Sequence, residues 1–260
     1  MLTESQLTQF NEDGYYLAKG LFDEEETDLL RHAARHDPAI SEKAKDREDG
    51  SGGKSRITLW NEADDSILSM YSRSERIVSA AEQILGGEVY HWHSKMMQKE
   101  PFVGGAWVWH QDYGYWYNDT CLFPLLLSCY IAVDKATKAN GCLQVLKGSH
   151  LLGRIDHMKV GDQTGADPVR CVEAEKVMPL VHCEMDPGDA LFFHCNLLHK
   201  SEQNTSPDPR WALICCYNAK RNSPFGKSGH PTYSPLQRVP DAAIKETGLK
   251  YLGADLEFLE

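Results

Sequence analysis

The sequence predicts a mainly β protein: one antiparallel sandwich or barrel, with helices gathered at the N-terminal end and packed outside it. Three observations carry this. Between residues 89 and 218 the chain breaks into short apolar runs separated by Pro, Gly and Asn. Before residue 88 apolar residues recur at helical spacing between capping residues. The 260 residues suit one domain with a full core, and a composition of 42% hydrophobic and 25% charged residues argues against disorder.

The elements follow in order. Thr3 is an N-cap for a helix over 5–13 that Gly14 ends; residues 15–19 read as a strand and Gly20 turns the chain. Asp23 begins a second helix to about residue 36, with Glu24, Glu25 and Glu26 in the first turn, where the helix dipole favours acids. Pro38 follows. The stretch 41–55 is charged and carries Gly50, Gly52 and Gly53, so it reads as a mobile surface loop, either a lid or merely a loop. A strand over 56–60 precedes a helix over 66–85, which Gly86-Gly87 stops. Strands are then expected at 89–98, 104–112, 126–134, 143–146, 177–185, 190–195 and 211–218. The tail from 224 should wrap the core, with a short helix near 240–246.

Composition narrows the partners. The net charge of -11 and pI near 5.5 disfavour non-specific binding to nucleic acid or an acidic membrane, although basic groups inside a pocket can still hold a small anion. The start, MLTESQLTQF, lacks the basic and apolar regions of a signal peptide. The longest apolar stretch, 122–133, is interrupted by Pro124 and too short for a bilayer. Eight cysteines without a C-x-x-C pair read as free thiols in a reducing cytoplasm. The expectation is a cytoplasmic monomer or homodimer that acts on a small molecule.

The chemistry-bearing feature is His110-Gln111-Asp112. Residues two apart on a strand point to one side, so His110 and Asp112 can reach one metal. Alone, H-x-D is weak; its bland alternative is a buried histidine bonded to a carboxylate. His199, after Leu197-Leu198, offers a second imidazole, and two histidines with one carboxylate form the facial set that holds non-haem iron(II) with open positions. His194 is the rival in that region. His91-Trp92-His93 is a rival pair without an acid at strand spacing, and His150 and His157 read as turn or rim residues. Arg210, eleven residues beyond His199, presents a planar fork suited to a dicarboxylate, unless it is simply a surface arginine.

The ordered set resembles the phytanoyl-CoA dioxygenase family of iron(II)/2-oxoglutarate oxygenases. The matching stretches are WHQDYGYW at 109–116, CYIAVDKATKANGCLQVLKGSH at 129–150 and PGDALFFHCNLLHKSEQN at 187–204, with Arg210 behind; FNEDGYYLAKGLFDEEE near the start fits as well. The resemblance implies a double-stranded β-helix, a cupin-like jelly roll, with the core at about 88–220, a helical part before it and a wrap after it. It implies iron ligands His110, Asp112 and His199, and Arg210 on the distal carboxylate of 2-oxoglutarate, with O2 as the oxidant. Lys95, Gln98 and Ser128 are implied as cosubstrate helpers. Family members that halogenate lack the carboxylate ligand; Asp112 is intact, so hydroxylation is expected.

The aromatic run after Asp112 suggests a stacking wall or cation cage for the substrate, or else ordinary core packing. Tyr113, Tyr115 and Trp116 are pocket candidates, and His93, Lys95, Arg56 and Arg154 could meet an acid group. Such a pocket suits a small zwitterion. The HQDYGYWYN texture resembles members that hydroxylate aminoalkylphosphonates such as 2-aminoethylphosphonate or its N-methylated form, with ectoine-like solutes and amino acids as alternatives. A metal-binding cupin-type enzyme that does not need Arg210, or a non-catalytic module without iron, are the rival classes.

Overall fold

The computed structural model describes residues 1–257, built around two facing antiparallel sheets. Helix α1 (Glu4–Asp13) starts at a reciprocal cap: Thr3 Oγ1 accepts the Gln6 N–H at 3.3 Å and Gln6 Oε1 accepts the Thr3 N–H at 2.8 Å. Gly14 ends it at φ 81°. Strand β1 (Tyr15–Ala18) leads to α2 (Glu24–His36), which has the same kind of cap from Asp23 and Glu26. These agree with the sequence expectations to within a residue or two.

The stretch 41–55 differs. After α3 (Pro38–Glu42), β2 (Lys45–Glu48) and β3 (Lys54–Trp60) form a paired hairpin at a sheet edge. Its turn is latched rather than loose. One Asp49 oxygen accepts the N–H groups of Ser51 and Gly53; the other accepts from Ala106 N and Gln203 Nε2. Gly53 packs so closely that an added Cβ would lie 2.7 Å from Gly105 Cα. Charge and glycine content suggested a loop because the ordering contacts come from residues far along the chain.

The helix expected over 66–85 is two helices, α4 (Ile67–Arg73) and α5 (Glu75–Leu85). Ser74 leaves helical geometry (φ -59°, ψ 140°) to bridge Val239 of the C-terminal segment. Helical periodicity continues across this break and conceals it. There follow β4 (Val89–Lys99), β5 (Trp107–His110), α6 (Asp112–Trp116), β6 (Leu126–Ala132), β7 (Leu143–Leu146), β8 (His157–Val160), β9 (Gln163–Ala166), α7 (Pro168–Val177), β10 (Leu180–Cys183), β11 (Ala190–His194), β12 (His199–Ser201), β13 (Arg210–Ala219) and α8 (Ala243–Glu257). The strand expected over 177–185 is thus shorter and follows α7, which Asp167 caps and Pro168 opens. The β8–β9 hairpin, too polar to signal a strand, was not anticipated, and α8 is longer than expected.

The large sheet runs β1-β11-β6-β13-β4-β3-β2 and the small one β10-β7-β12-β5. One face of the large sheet packs on α1, α2, α4 and α5 through Phe10, Leu30, Tyr71, Ile77, Phe192 and Leu213. The other packs on the small sheet through Trp92, Tyr130, Val145, Leu191 and Phe193. Strand β6 is buried on both faces, which explains why it is apolar apart from Ser128. The architecture is the mainly β jelly roll with packed helices that the sequence predicted. All eight cysteines are free and buried. Among the described residues, no helix is long and apolar enough to cross a membrane.

Candidate metal centre and active-site cavity

Strands β5 and β12 pair with His110 directly opposite His199. Their rings lie 4.0 Å apart between centroids. Asp112 is not on the strand: β5 ends at His110 and Asp112 opens α6. Gln111 between them remains extended (φ -118°, ψ 135°), so the two-residue alternation persists one step past the ladder. One ligand atom from each of His110, Asp112 and His199 lies within 4.8 Å of the others.

The shell around the triad fixes each donor. His110 Nδ1 faces Val108 O at 2.8 Å and His199 Nδ1 faces Leu197 O at 2.9 Å, so each ring donates through Nδ1 and leaves Nε2 for a metal. Burial holds both imidazoles below their usual pKa, hence neutral. Burial would raise the Asp112 carboxyl, but the Lys95 ammonium and the hydrogen bond from Ser128 hold it below the usual range. Ser128 donates to Asp112 Oδ2 at 2.7 Å. Two neutral nitrogens and one ionised carboxylate on one side of a cavity fit iron(II).

The triad lines a cavity of about 580 Å³. At one end Arg210, only 2% exposed, directs a guanidinium N–H at the Tyr130 hydroxyl, while its Nε has no partner. Ser201 also lines this end, and its hydroxyl accepts from the buried Lys99 ammonium at 3.0 Å. An unpaired buried N–H on an arginine is costly unless an anion completes it; the dicarboxylate expected for Arg210 fits. Sequence reading missed Tyr130, although the signal was present: it lies two residues beyond Ser128 on β6 and shares its face.

A bulge in β4 populates the other end. Cys216 pairs with His93 but Tyr217 with His91, which leaves Trp92 as the extra residue. The alternation is re-phased there. Trp92 packs between the sheets, and His93, Lys95 and Met97 all line the cavity. Lys95 Nζ approaches Asp112 Oδ1 at 3.8 Å. His93 meets Trp116 with ring centroids 5.6 Å apart. His230, from the C-terminal segment, lies against both His93 and Trp92. Tyr115 lines the cavity and donates its hydroxyl to Thr164 O at 2.6 Å. Asp46, Glu48, Asp119 and Asp162 add carboxylates, with Arg47 and Lys200 of opposite sign.

Several expected site residues lie elsewhere. Gln98, one step out of phase with Met97, does not line the cavity and is buried without side-chain partners. Arg56 is likewise out of phase with Ile57, and its guanidinium meets Ser41 O and Asp46. Ser128 faces inward, and its hydroxyl donates to Asp112. Tyr113 is buried in the core and donates to Cys121 O at 3.0 Å. Arg154 pairs with Asp156 and stacks on Tyr117 outside the cavity. The rival histidines are occupied structurally. His91 contacts Asn61 O and Ser94, His194 Nδ1 accepts the Asn196 N–H, His150 contacts Asn11 O, and His157 accepts the Gln111 N–H at 3.0 Å.

Comparisons with known proteins agree with this geometry. The family model described as phytanoyl-CoA dioxygenase (PhyH) matches residues 10–212. The ectoine dioxygenase of Bordetella parapertussis is 30% identical over 237 residues, covering 85% of this chain and 77% of that protein. The L-proline trans-4-hydroxylase of Streptomyces griseoviridis is 31% identical over 188 residues, covering 66% and 69%. The crystal structure of EctD from S. alaskensis with 2-oxoglutarate and 5-hydroxyectoine superposes with a TM-score of 0.78 at 26% identity, covering 92% of this chain and 88% of that one. With the His110–Asp112–His199 triad and the Arg210 end of the cavity already in place, this chain belongs to the phytanoyl-CoA dioxygenase family and is an iron- and 2-oxoglutarate-dependent dioxygenase.

Proposed function

We propose that the chain, acting as one oxygenase domain, hydroxylates an unactivated C–H bond of a small zwitterionic metabolite. The leading candidate is a 2-aminoethylphosphonate-type compound, N-methylated or not. The observation that carries this reading is the two-ended cavity. The metal triad lies beside a compartment that holds the unpartnered His93 imidazole and the Lys95 ammonium, whose ion-pair contact is Asp112 at 3.8 Å, together with aromatic and carboxylate groups (Tyr115, Trp116, Asp119). A molecule with an acid group and a cationic nitrogen complements both sets.

In this reading His110, Asp112 and His199 hold iron(II), and Arg210, with Tyr130 and Ser201, holds the distal carboxylate of 2-oxoglutarate. Iron supplies O2 activation coupled to oxidative decarboxylation, so one oxygen atom enters the substrate C–H, the other enters succinate, and carbon dioxide leaves. The protein's contribution is positional. The Nδ1 bonds of both histidines fix their tautomers, Ser128 turns the Asp112 carboxylate, and Phe193, Ile214 and Leu143 keep the wall beside the triad apolar.

A second reading, an ectoine or cyclic amino-acid hydroxylase, is favoured by the 30% and 31% identities to enzymes named for ectoine and L-proline. Substrate-coupled succinate release decides between them. The panel is 2-aminoethylphosphonate, its N-methylated forms, ectoine and L-proline. The first reading expects the phosphonates to give succinate and hydroxylated product in equal amounts; faster coupled turnover of ectoine or proline selects the second. No succinate coupled to any of them would sink both substrate readings.

A further inference from the structure

The least satisfied polar side chain near the triad is His93. It is 2% exposed, it lines the cavity, and neither ring nitrogen has a hydrogen-bond partner. Burying an imidazole without partners is unfavourable, so the site is built to be completed. Lys95, two residues along the same face of β4, has only the 3.8 Å contact with Asp112 Oδ1 and donates no hydrogen bond within ordinary range. Neither belongs to the Arg210 end. Arg210 pairs in register with Lys99, four residues from Lys95 and six from His93 along β4, or roughly 13 and 20 Å of extended strand.

The compartment has a roof from outside the part of the chain that the family model matches. Residues 223–231 cross the loop after α6: Phe225 N donates to Thr120 O at 3.1 Å, Gly226 N to Thr120 Oγ1 at 3.1 Å, and Gly229 N to Asp119 Oδ1 at 2.9 Å. Thr120 holds a left-handed backbone (φ 61°) that presents both of its acceptors to this strap. His230 is fixed by its Nδ1 contact with Asn61 Oδ1 at 3.2 Å, and its ring covers His93 at 4.6 Å between centroids. With its ring nitrogens directed at Asn61 and Asp119, it acts as a wall.

We propose that His93 and Lys95 form the subsite for the substrate's oxyanionic acid group, phosphonate or carboxylate, and that the strap, through His230, keeps this subsite dry. One imidazole N–H and the Lys95 ammonium are the donors. The Trp116 ring and Asp119 then lie where a cationic nitrogen is accepted. The inference rests on the zwitterion reading above and assigns its acid end; of the two roles the sequence offers for Lys95, cosubstrate helper and partner of a substrate acid group, it selects the second.

The test uses the full chain loaded with zinc and 2-oxoglutarate, so that the site is diamagnetic. Histidine side-chain nitrogen resonances are followed by NMR, with His93 assigned by its loss in His93→Phe. Probes carrying one end only are added: methylphosphonate and acetate for the acid, tetramethylammonium for the cation. The acids are expected to move the His93 resonances, and methylphosphonate is expected to bind His93→Phe and Lys95→Met on the order of tenfold or more weakly. His230→Ala should weaken it as well by admitting water. Movement of His93 by tetramethylammonium but not by the acids would overturn the inference. So would wild-type methylphosphonate affinity in His93→Phe, or a loss in Lys95→Met confined to 2-oxoglutarate. If His93→Phe does not fold, His93→Gln supplies the assignment by the same loss of an imidazole signal, and the wild-type spectra then decide without the other variants. Acid-dependent shifts without hydroxylation of any panel compound would support the subsite and remove the proposed substrate; hydroxylation without such shifts would do the reverse.

Discussion

Ser128 donates its hydroxyl to Asp112 Oδ2 at 2.7 Å, and Oδ1 is the oxygen left facing His199 Nε2 at 3.9 Å. The carboxylate is thereby committed to present one oxygen. Ser128→Ala is expected to lower iron affinity roughly 10–100-fold, as loss of a partner behind a metal ligand typically does. Anaerobic metal titration measures it. Unchanged metal affinity with a raised KM for 2-oxoglutarate would return Ser128 to the cosubstrate role.

Arg210→Ala removes the fork that the cosubstrate reading needs. KM for 2-oxoglutarate should rise roughly 10–100-fold, the usual loss for charge-assisted hydrogen bonds. Arg210→Lys should recover only part of this, because an ammonium cannot make the bidentate contact. An unchanged KM in the alanine variant would favour a cupin-type enzyme that makes no use of the arginine.

Gly114 lies in α6 against His157, and an added Cβ would fall 2.0 Å from that ring. His157 Nε2 accepts the Gln111 N–H, so moving the ring disturbs the residue between the two local ligands. Gly114→Ala is expected to cost about 1–3 kcal/mol from overpacking and to weaken metal binding together with stability. Thermal melts with and without metal separate the two effects.

Asp49 supplies a pH dependence. Burial would raise its carboxyl, but the bonds from Gln203, Ala106 and Ser51 hold it below the usual aspartate range. A depressed folded-state pKa gives stability that is present above the unfolded value of about 3.9 and is lost as pH falls through the folded value. The stability gap between wild type and Asp49→Asn should therefore be flat above roughly pH 5 and shrink below pH 4. Hydrogen exchange over 45–60 reads the same latch locally. A gap that widens on acidification contradicts the assignment.

Metal removal should lower thermal stability. Neutral imidazoles and an ionised carboxylate are assembled at a cost that binding offsets, and a ligand at 100 times its dissociation constant adds about 2.7 kcal/mol. His199→Ala should abolish the increment in melting temperature that iron(II) or zinc gives the wild type. A persisting increment would place the ion elsewhere.

What could be read from the sequence was what local chemistry encodes. The caps at Thr3 and Asp23 announced their helices because capping involves neighbours only. His110, Asp112 and His199 were legible because a donor set for one metal needs particular residue types in a particular order. The strand at 56–60 was legible, but its pairing with 45–48 was hidden because the latch on their turn, Asp49 to Ala106 and Gln203, joins distant segments. Gln98 and Arg56 fall outside the cavity for a related reason: strand alternation says which residues share a face but leaves open which face is inside.

The sequence by itself determined the mainly β class with packed helices and marked His110, Asp112, His199 and Arg210 as the candidates for one site. Tertiary structure decided their surroundings. The bulge at Trp92 set the phase that turns His93 and Lys95 inward, pairing on β6 put Ser128 behind Asp112 and Tyr130 beside Arg210, and the C-terminal strap delivered His230 to the cavity. Each of these depends on register between strands or on docking of a segment without regular structure. Both are set by long-range packing, which no local pattern in the chain records.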